Sequence, residues 1–401
     1  MSSSLDRRRL LQASAAFGAL PLAGLGGCST LAGSSLGPAR AGASSYRPLA
    51  GIRAEPQRLF DLTVCLRPFR AAGPRLDTEQ VGDALVVHNY GHGGSGWSLS
   101  WGSAEIAVGK AMASSPKEIA VVGCGALGLT SAITAQRAGA RVTIYARDLL
   151  PQTRSSRATG QFTPDSRVAL ANAVSPDFPE LWERMARASF KAYRNYLGLP
   201  GDPVEWIDTY AVSDPAQPDP PEPAGALQFA RYRNRIRDIL SRGERLPPEE
   251  SPFDAPVVSR GPSLIFNIAD YGHTLMTDFL LAGGELRTME FHAPSELTAL
   301  KEKVVINCPG YGGRSLWKDE SIKPVRGQIA WLIPQPEVTY GAAYNGVNML
   351  SRKDGIVVQS VGRGDMEGYG DENEAPDRAD AERTVKTIAE LFSRFRAPRR
   401  G

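Results

Sequence analysis

"EIAVVGCGALG", Glu118 to Gly128, is a short, nearly continuous apolar run that breaks into glycines. Such a run predicts a parallel strand buried on both faces. Gly123, Gly125 and Gly128 then stand at G-x-G-x-x-G spacing, with Ala126 and Leu127 opening the helix "ALGLTSAITAQRAGA", which Gly139 closes. The first glycine makes a tight turn, the second admits a pyrophosphate to the backbone, and the third lets helix and strand pack closely. The anion then rests on the helix N-terminus. "RVTIYA" follows as the next strand. This βαβ unit implies a doubly wound α/β domain.

The acid expected about 20 residues on, to hold a ribose hydroxyl, is not cleanly present. The strand ends in "YARDLLP", with Arg147 beside Asp148. In a nicotinamide site Arg147 suggests a 2′-phosphate and NADP. In a flavin site the Arg147–Asp148 pair holds the adenosine end. The fingerprint leaves both open.

Upstream lies "HNYGHGGSGWSLSWG", His88 to Gly102, with Gly93, Gly94 and Gly96 crowded into four residues. It reads as a loop whose backbone another molecule touches, running into a helix over "SGWSLSWGSAEIAVGKAM". "FDLTVCLRPF" reads as a strand ending at Pro68, and "DALVVHNY" as a second strand. Further on, "LWERMARASFKAYRNYL" is amphipathic, and "SDPAQPDPPEPAG" reads as an exposed loop. Strands are expected at "SLIFNIAD", "KVVINCPG", "GQIAWLI" and "GIVVQSVG". Helices are expected at "YGHTLMTDFLLAGG" and "DAERTVKTIAELFSRF", the latter with Val385, Ile388, Leu391 and Phe392 on one face.

The 401 residues carry 46 basic and 43 acidic side chains, a net charge of +3. That balance gives no field arguing for nucleic acid. Cys65, Cys124 and Cys308 form no CxxC and have no histidine at ligand spacing, so neither a disulfide framework nor a metal site is expected. Residues 1–28 read as an address. Arg7 and Arg8 form a twin-arginine region, Ala13 to Leu25 is apolar but short, and Leu25-Gly26-Gly27-Cys28 looks like a lipobox. The expectation is twin-arginine export, lipidation of Cys28, a membrane-anchored lipoprotein on the periplasmic side, and a flexible stalk over 29–56.

Four stretches carry a resemblance. "ARDLLPQTRSSRATGQFTP", "VVINCPGYGGRSLWKDESIKPVRGQ", "CLRPFRAAGPRLD" and "HNYGHGGSGWSLSWGSA" are similar to segments of the D-amino-acid oxidase family of FAD enzymes. In that family the HNYGHGG-type loop wraps the flavin near the C-terminus. Here it precedes the fingerprint, so the resemblance implies a circular permutation: the closing portion, about Leu59 to Met112, comes first. The bridge "ASSPKE" reaches roughly 20 Å when extended, at about 3.3–3.6 Å per residue.

The resemblance implies a Rossmann-type FAD-binding domain over 78–167 and 297–328. A mixed-sheet α+β substrate domain would occupy 57–77, 168–296 and 329–398. It places Gly93, Gly94, Ser95, Gly96, Trp97 and Ser98 on the flavin loop, and Thr153, Ser155, Gly160 and Gln161 over the pyrophosphate and flavin edge. Gly310 and the backbone of Phe291 are further FAD contacts. Arg67 aligns with the arginine that pairs with the substrate carboxylate, a natural bidentate partner. Tyr344 matches a substrate-side tyrosine at the end of a lid over Glu337 to Asn348. Asn348 replaces a second, carboxylate-binding tyrosine. His88, His92 and His273 read as structural, because the chemistry needs alignment rather than a protein base.

The implied activity is oxidation of an amino acid, D-configured if the family holds. The Cα hydride passes to N5 of FAD, the imino acid hydrolyses to 2-oxo acid and ammonia, and dioxygen yields hydrogen peroxide. Two alternatives stand beside it. One is a dehydrogenase of the same amino acids or amines that reduces a quinone or periplasmic carrier. The other is a flavin-fold lipoprotein that only binds a partner.

Overall fold

In the six-stranded sheet the inner strands, rich in Val, Ile and Ala, are buried on both faces, and this fixes where the glycine turn can stand. The computed structural model describes residues 49–214, 226–362 and 364–396. The 1–28 signal, the stalk to residue 48 and the proline-rich 215–225 lie outside the described residues. In chain order the elements are β1 (Leu59–Arg70), β2 (Thr78–Val81), β3 (Ala84–His88), α1 (Gly96–Ala111), β4 (Glu118–Val122), α2 (Ala126–Arg137) and β5 (Arg141–Ala146). Next come α3 (Phe178–Tyr193), β6 (Val204–Ser213), β7 (Glu244–Arg245), β8 (Val257–Phe266), α4 (Ile268–Leu281), β9 (Glu285–Thr288) and β10 (Val304–Asn307). The chain closes with α5 (Gly313–Leu316), β11 (Ile322–Leu332), β12 (Tyr340–Tyr344), β13 (Val347–Arg352), β14 (Gly355–Ser360) and α6 (Arg378–Ser393).

One sheet has the order β2-β3-β10-β4-β5-β9. All neighbours in it are parallel except the β2–β3 edge pair. Helices α1, α2 and α4 pack on one face through Ala107, Ala111, Leu129, Ala132 and Leu275. The other face is covered by a 3₁₀ segment at Pro294–Ala299 and by Phe291 and Trp317. The second sheet has the order β1-β11-β14-β13-β12-β6-β8-β7. Its outer face buries Ile356, Val358, Tyr340 and Tyr344 under Val385, Ile388 and Leu391 of α6.

Several expectations are corrected. β1 does not stop at Pro68: it continues to Arg70, with Pro68 facing Pro324. As an edge strand it tolerates the missing donor. Residues 49–54 are not stalk but packed chain. Ile52 and Ala54 are buried, Arg53 N–H donates to Gln335 Oε1 at 2.7 Å, and Tyr340 Oη donates to Ala50 O.

The expected lid over Glu337 to Asn348 is largely the β12–β13 hairpin, paired to β6 and β14 inside the larger sheet. Its two-residue turn is Asn345–Gly346, both at positive φ, the standard signal for a tight hairpin. β11 belongs wholly to the larger sheet, whereas β9 completes the smaller one. The divisions at 328 and 296 therefore shift: the nucleotide-type sheet gains 285–288 and loses 322–328.

Candidate functional site

The Gly123 turn begins where β4 ends. Gly123 has φ +98°, and its N–H donates to Tyr145 O at 2.8 Å. A Cβ on Gly128 would stand 2.0 Å from Gly123 O, so only glycine lets α2 sit this close to the turn. The first helical N–H, on Ala126, donates to Ser155 Oγ at 3.0 Å. The neighbouring N–H groups at this helix start face a place where an anion is favoured.

At the end of β5, Arg147 donates from Nε and Nη2 to Asp148 Oδ2 at 3.0 and 2.8 Å, and from Nη1 to Glu290 Oε1 at 3.0 Å. Both carboxylates already engage the guanidinium. Arg147 offers no spare cation to a 2′-phosphate, which removes the main argument for NADP. Glu290 was not legible in sequence, because it arrives through the β9 pairing with β5.

The second glycine turn reaches the same place from the N-terminal side of the chain. Gly93 has φ +57°, and a Cβ there would meet Arg167 O at 1.9 Å. Gly94 N–H donates to Ser166 O at 3.0 Å, and Ser98 Oγ accepts from Thr163 N–H at 2.8 Å. Trp97 Nε1 donates to Ser155 O at 2.8 Å, tying this loop to the segment that caps α2. Helix α1 starts at Gly96 and aims its N-terminus here, a favourable end for negative charge.

His92 is buried beside the turn. Ser103 Oγ donates to Asn89 Oδ1 at 2.6 Å and accepts from His92 Nε2 at 2.8 Å. That chain assigns the proton to Nε2 and leaves Nδ1 without a partner. Burial, then the charge of Arg70, holds this imidazole neutral, pushed down to about 3. His88 bonds Glu79 and Asn307 inside the core, and His273 is exposed on α4.

The larger sheet contributes the opposite wall. Arg67 on β1 folds its guanidinium over Gly327, where a Cβ would lie 2.3–2.6 Å from Nη2, Nη1 and Cζ. Its hydrogen bonds go only to carbonyls, Arg326 O at 3.3 Å and Val325 O at 3.5 Å. No carboxylate pairs with it among the described residues, and burial lowers its guanidinium. Asn348 and Gln359 face each other across β13 and β14 on the same wall, and Gln359 Oε1 accepts from Thr159 Oγ1 at 2.5 Å.

Tyr344 is not there. Strand alternation turns it to the other face, where its hydroxyl donates to Asp214 Oδ2 at 2.8 Å and Arg394 lies 4.9 Å over its ring. The substrate-side role expected for it is corrected to a structural one.

These groups enclose a cavity of about 820 Å³, at the upper part of the ~300–1,000 Å³ range of ligand sites. Arg67, Asn348, Gly93, Gly94, Gly96, Trp97, Ser98, Gly123, Gly125, Ala126, Leu127, Arg147, Asp148, Thr153, Ser155, Gly160, Gln161, Phe291 and Gly310 all line it. Besides Tyr344, two expected contacts do not. Ser95 is fully buried and its Oγ pins the loop to Ser166 O, while Gly128 serves helix packing. The sequence reading missed Arg167, Gln359 and Glu290, which also line the cavity. A dinucleotide fits this donor set. Backbone N–H groups at two helix starts suit anionic groups, Asp148 and Glu290 would flank the adenosine end, and the Arg67 guanidinium, unpaired by any described carboxylate, lines the same cavity.

A family model described as FAD dependent oxidoreductase matches residues 118–400. The chain is 25% identical over 278 residues to a D-amino-acid oxidase of Dictyostelium discoideum, covering 69% of this chain and 73% of that one. It is 28% identical over 216 residues to a D-amino-acid oxidase of Streptomyces coelicolor, covering 53% of this chain and 58%, somewhat over half, of that one. Among solved structures it is similar to L-proline dehydrogenase from P. horikoshii, with a TM-score of 0.46 and 13% identity over 69% of this chain and 77% of that one. With more than half of its length matched by that model, from the strand before the Gly123 turn onward, the chain belongs to the FAD dependent oxidoreductase family, whose enzymes depend on FAD.

Proposed function

We propose that the protein oxidises a free amino acid, of D configuration, at its Cα–N bond. The observation that carries this reading is the Arg67 guanidinium, unpaired by any described carboxylate and lining one cavity with the Gly93 and Gly123 turns. When bound, FAD supplies the two-electron acceptance at N5, so that the amino acid becomes an imino acid that hydrolyses to 2-oxo acid and ammonia, and dioxygen ends as hydrogen peroxide.

The chain's own residues bind and orient. Arg67 takes the α-carboxylate in a bidentate grip, and Gly327 leaves the space in which that guanidinium lies. Asn348 adds an amide donor on the same wall. The start of α1 faces the ring region and favours negative charge there. Neutral His92 holds the loop through Ser103 and Asn89.

We also read residues 59–112 as the family's closing segment placed first. The family match begins at Glu118, yet Arg67 and the Gly93 turn line the cavity of the matched part. The described ends also lie together, with Gly51 packed near the Phe395 ring. A re-ordered chain with 59–112 moved behind residue 396 is expected to retain FAD. A yellow native protein beside a colourless re-ordered one would count against the permutation. The export signal and the Cys28 anchor rest on Arg7–Arg8 and Leu25–Cys28 alone, and mass spectrometry of the mature N-terminus tests them.

The main test is anaerobic bleaching of the flavin by a panel of D- and L-amino acids, followed by peroxide measurement on admitting air. Bleaching by D-amino acids with peroxide release is expected. Bleaching without peroxide, but with reduction of a quinone analogue, supports the dehydrogenase instead. Bleaching by amines that lack a carboxylate, and by no amino acid, sinks the role of Arg67.

A further inference from the structure

On the wall that carries Arg67, one amide is held by a single end. Gln359 on β14 is buried and lines the cavity beside Asn348, its partner across the β13–β14 pairing. Its Oε1 accepts from Thr159 Oγ1 at 2.5 Å, a length that suits O–H···O and is short for N–H···O. Thr159 is itself held in place. The buried Arg352 donates from Nη1 to Ala158 O at 2.8 Å and to Thr159 O at 3.3 Å. The hydroxyl therefore takes the oxygen end of the amide, and Nε2 is turned the other way.

Nε2 has no partner among the described residues, yet it is not one of the unpartnered polar atoms sealed away from solvent. In a buried side chain on the cavity wall, the cavity is where such an atom opens. Gln359 thus offers a ligand two N–H donors and no acceptor. Arg67 reaches from β1 to lie over Gly327 of β11, and β14 is the next strand in the sheet, about 4.8 Å further on. A carboxylate gripped by one guanidinium still has lone pairs to spare, and an amide N–H suits them. The start of α1, which suits a negatively charged ring, stands on the other wall.

We propose that Gln359 is a second binding residue for the α-carboxylate, donating from Nε2 to lone pairs that Arg67 leaves unfilled, and that Thr159 is the positioning residue that keeps this donor forward. This rests on the amino-acid reading above.

The test titrates propionate into the flavin-loaded protein and reads the shift of the flavin absorption band, while the fluorescence of released cofactor reports FAD binding separately. Gln359→Met keeps the bulk without the donors. It should weaken propionate about tenfold or more and leave FAD binding within about twofold. Gln359→Glu keeps an acceptor for Thr159 but sets a carboxylate against the ligand's own, so its loss should be larger still, and it decides the matter alone if Gln359→Met does not fold. Thr159→Val frees the amide to present either end and should cost about twofold or more, since about half the population then turns its donor away. Thr159→Ser keeps the hydroxyl and should keep the wild-type affinity. Wild-type propionate binding in the Gln359 variants overturns the proposal, as does weakened FAD binding in Gln359→Met with propionate binding intact, which would put the amide on the cofactor. Equal losses in Thr159→Val and Thr159→Ser overturn the positioning role. If amino acids bleach the flavin while the Gln359 variants bind propionate as the wild type does, this proposal alone falls. If the wild type binds no propionate and no amino acid bleaches it, the oxidation falls as well.

Discussion

On β13, Val347 and Met349 point into the packed face beneath α6, whereas Asn348 between them points into the cavity. The two faces differ in how their polar groups are met. Under α6, Tyr344 reaches Asp214, and Arg394 donates to the same carboxylate from Nη1 at 2.6 Å. Toward the cavity, Arg67 has carbonyl partners only, at long distances, and His92 Nδ1 has none. One sheet therefore separates a face on which a guanidinium meets a carboxylate from one on which it meets carbonyls alone. A buried polar group without a partner costs stability and persists where something else will meet it.

Four substitutions put that contrast at risk. The largest effect is expected from Arg67→Met. Losing the charged partner of a buried carboxylate costs about 3–5 kcal/mol, or roughly a hundred- to several-thousandfold in kcat/KM. Denaturant stability should hold or rise, since an unpaired buried guanidinium is removed. A fall in both stability and kcat/KM would show Arg67 to be structural.

Next is Gly327→Ala. The new Cβ displaces the tip of a side chain rather than backbone, so the fold should survive. A shift of about 1 Å in the guanidinium should cost around a hundredfold in kcat/KM. An unchanged KM and kcat would mean that the position of Arg67 over Gly327 is irrelevant.

The third concerns acid. His92 is held neutral with a folded value of about 3, against about 6.5 when unfolded. Below pH 6.5 the unfolded chain binds the extra proton, so stability is full above that pH and is lost as pH falls toward 3. The slope is at most about 1.4 kcal/mol per pH unit. His88 is lowered as well, so the comparison is of slopes between pH 6.5 and 4.5. His92→Asn should flatten the curve, and parallel curves would contradict the buried neutral assignment.

The smallest is Tyr344→Phe. It removes one hydrogen bond on the face under α6 and should cost about 1 kcal/mol in unfolding experiments. KM should change by less than about twofold, since the phenol lies behind the sheet. A large rise in KM would return Tyr344 to the substrate side.

Much of the nucleotide-type half was legible, because its signals are local. A strand buried on both faces is a run of Val, Ile and Ala, and a close helix–strand approach demands glycine at Gly128. The Gly93 turn was also nameable from its crowded glycines, and Arg67 through the resemblance of "CLRPFRAAGPRLD" to the D-amino-acid oxidase family. The β12–β13 hairpin was missed although Asn345–Gly346 announces it. Gly341, Ala342 and Ala343 supply no apolar alternation, and a lid was read where a strand pair lies.

The order of residues thus sufficed for the βαβ unit and the two glycine turns and, through its resemblance to the D-amino-acid oxidase family, for a flavin. The closing of the sheets brought both turns to one cavity, turned Tyr344 away while Asn348 faces in, and set Arg167 on the wall of the cavity that Arg67 also lines. The reason is that local pattern records which way a side chain points relative to its own strand or helix. Whether a charge is met depends on segments hundreds of residues away, such as Val325 and Arg326 against Arg67. That information exists only once the sheets have closed.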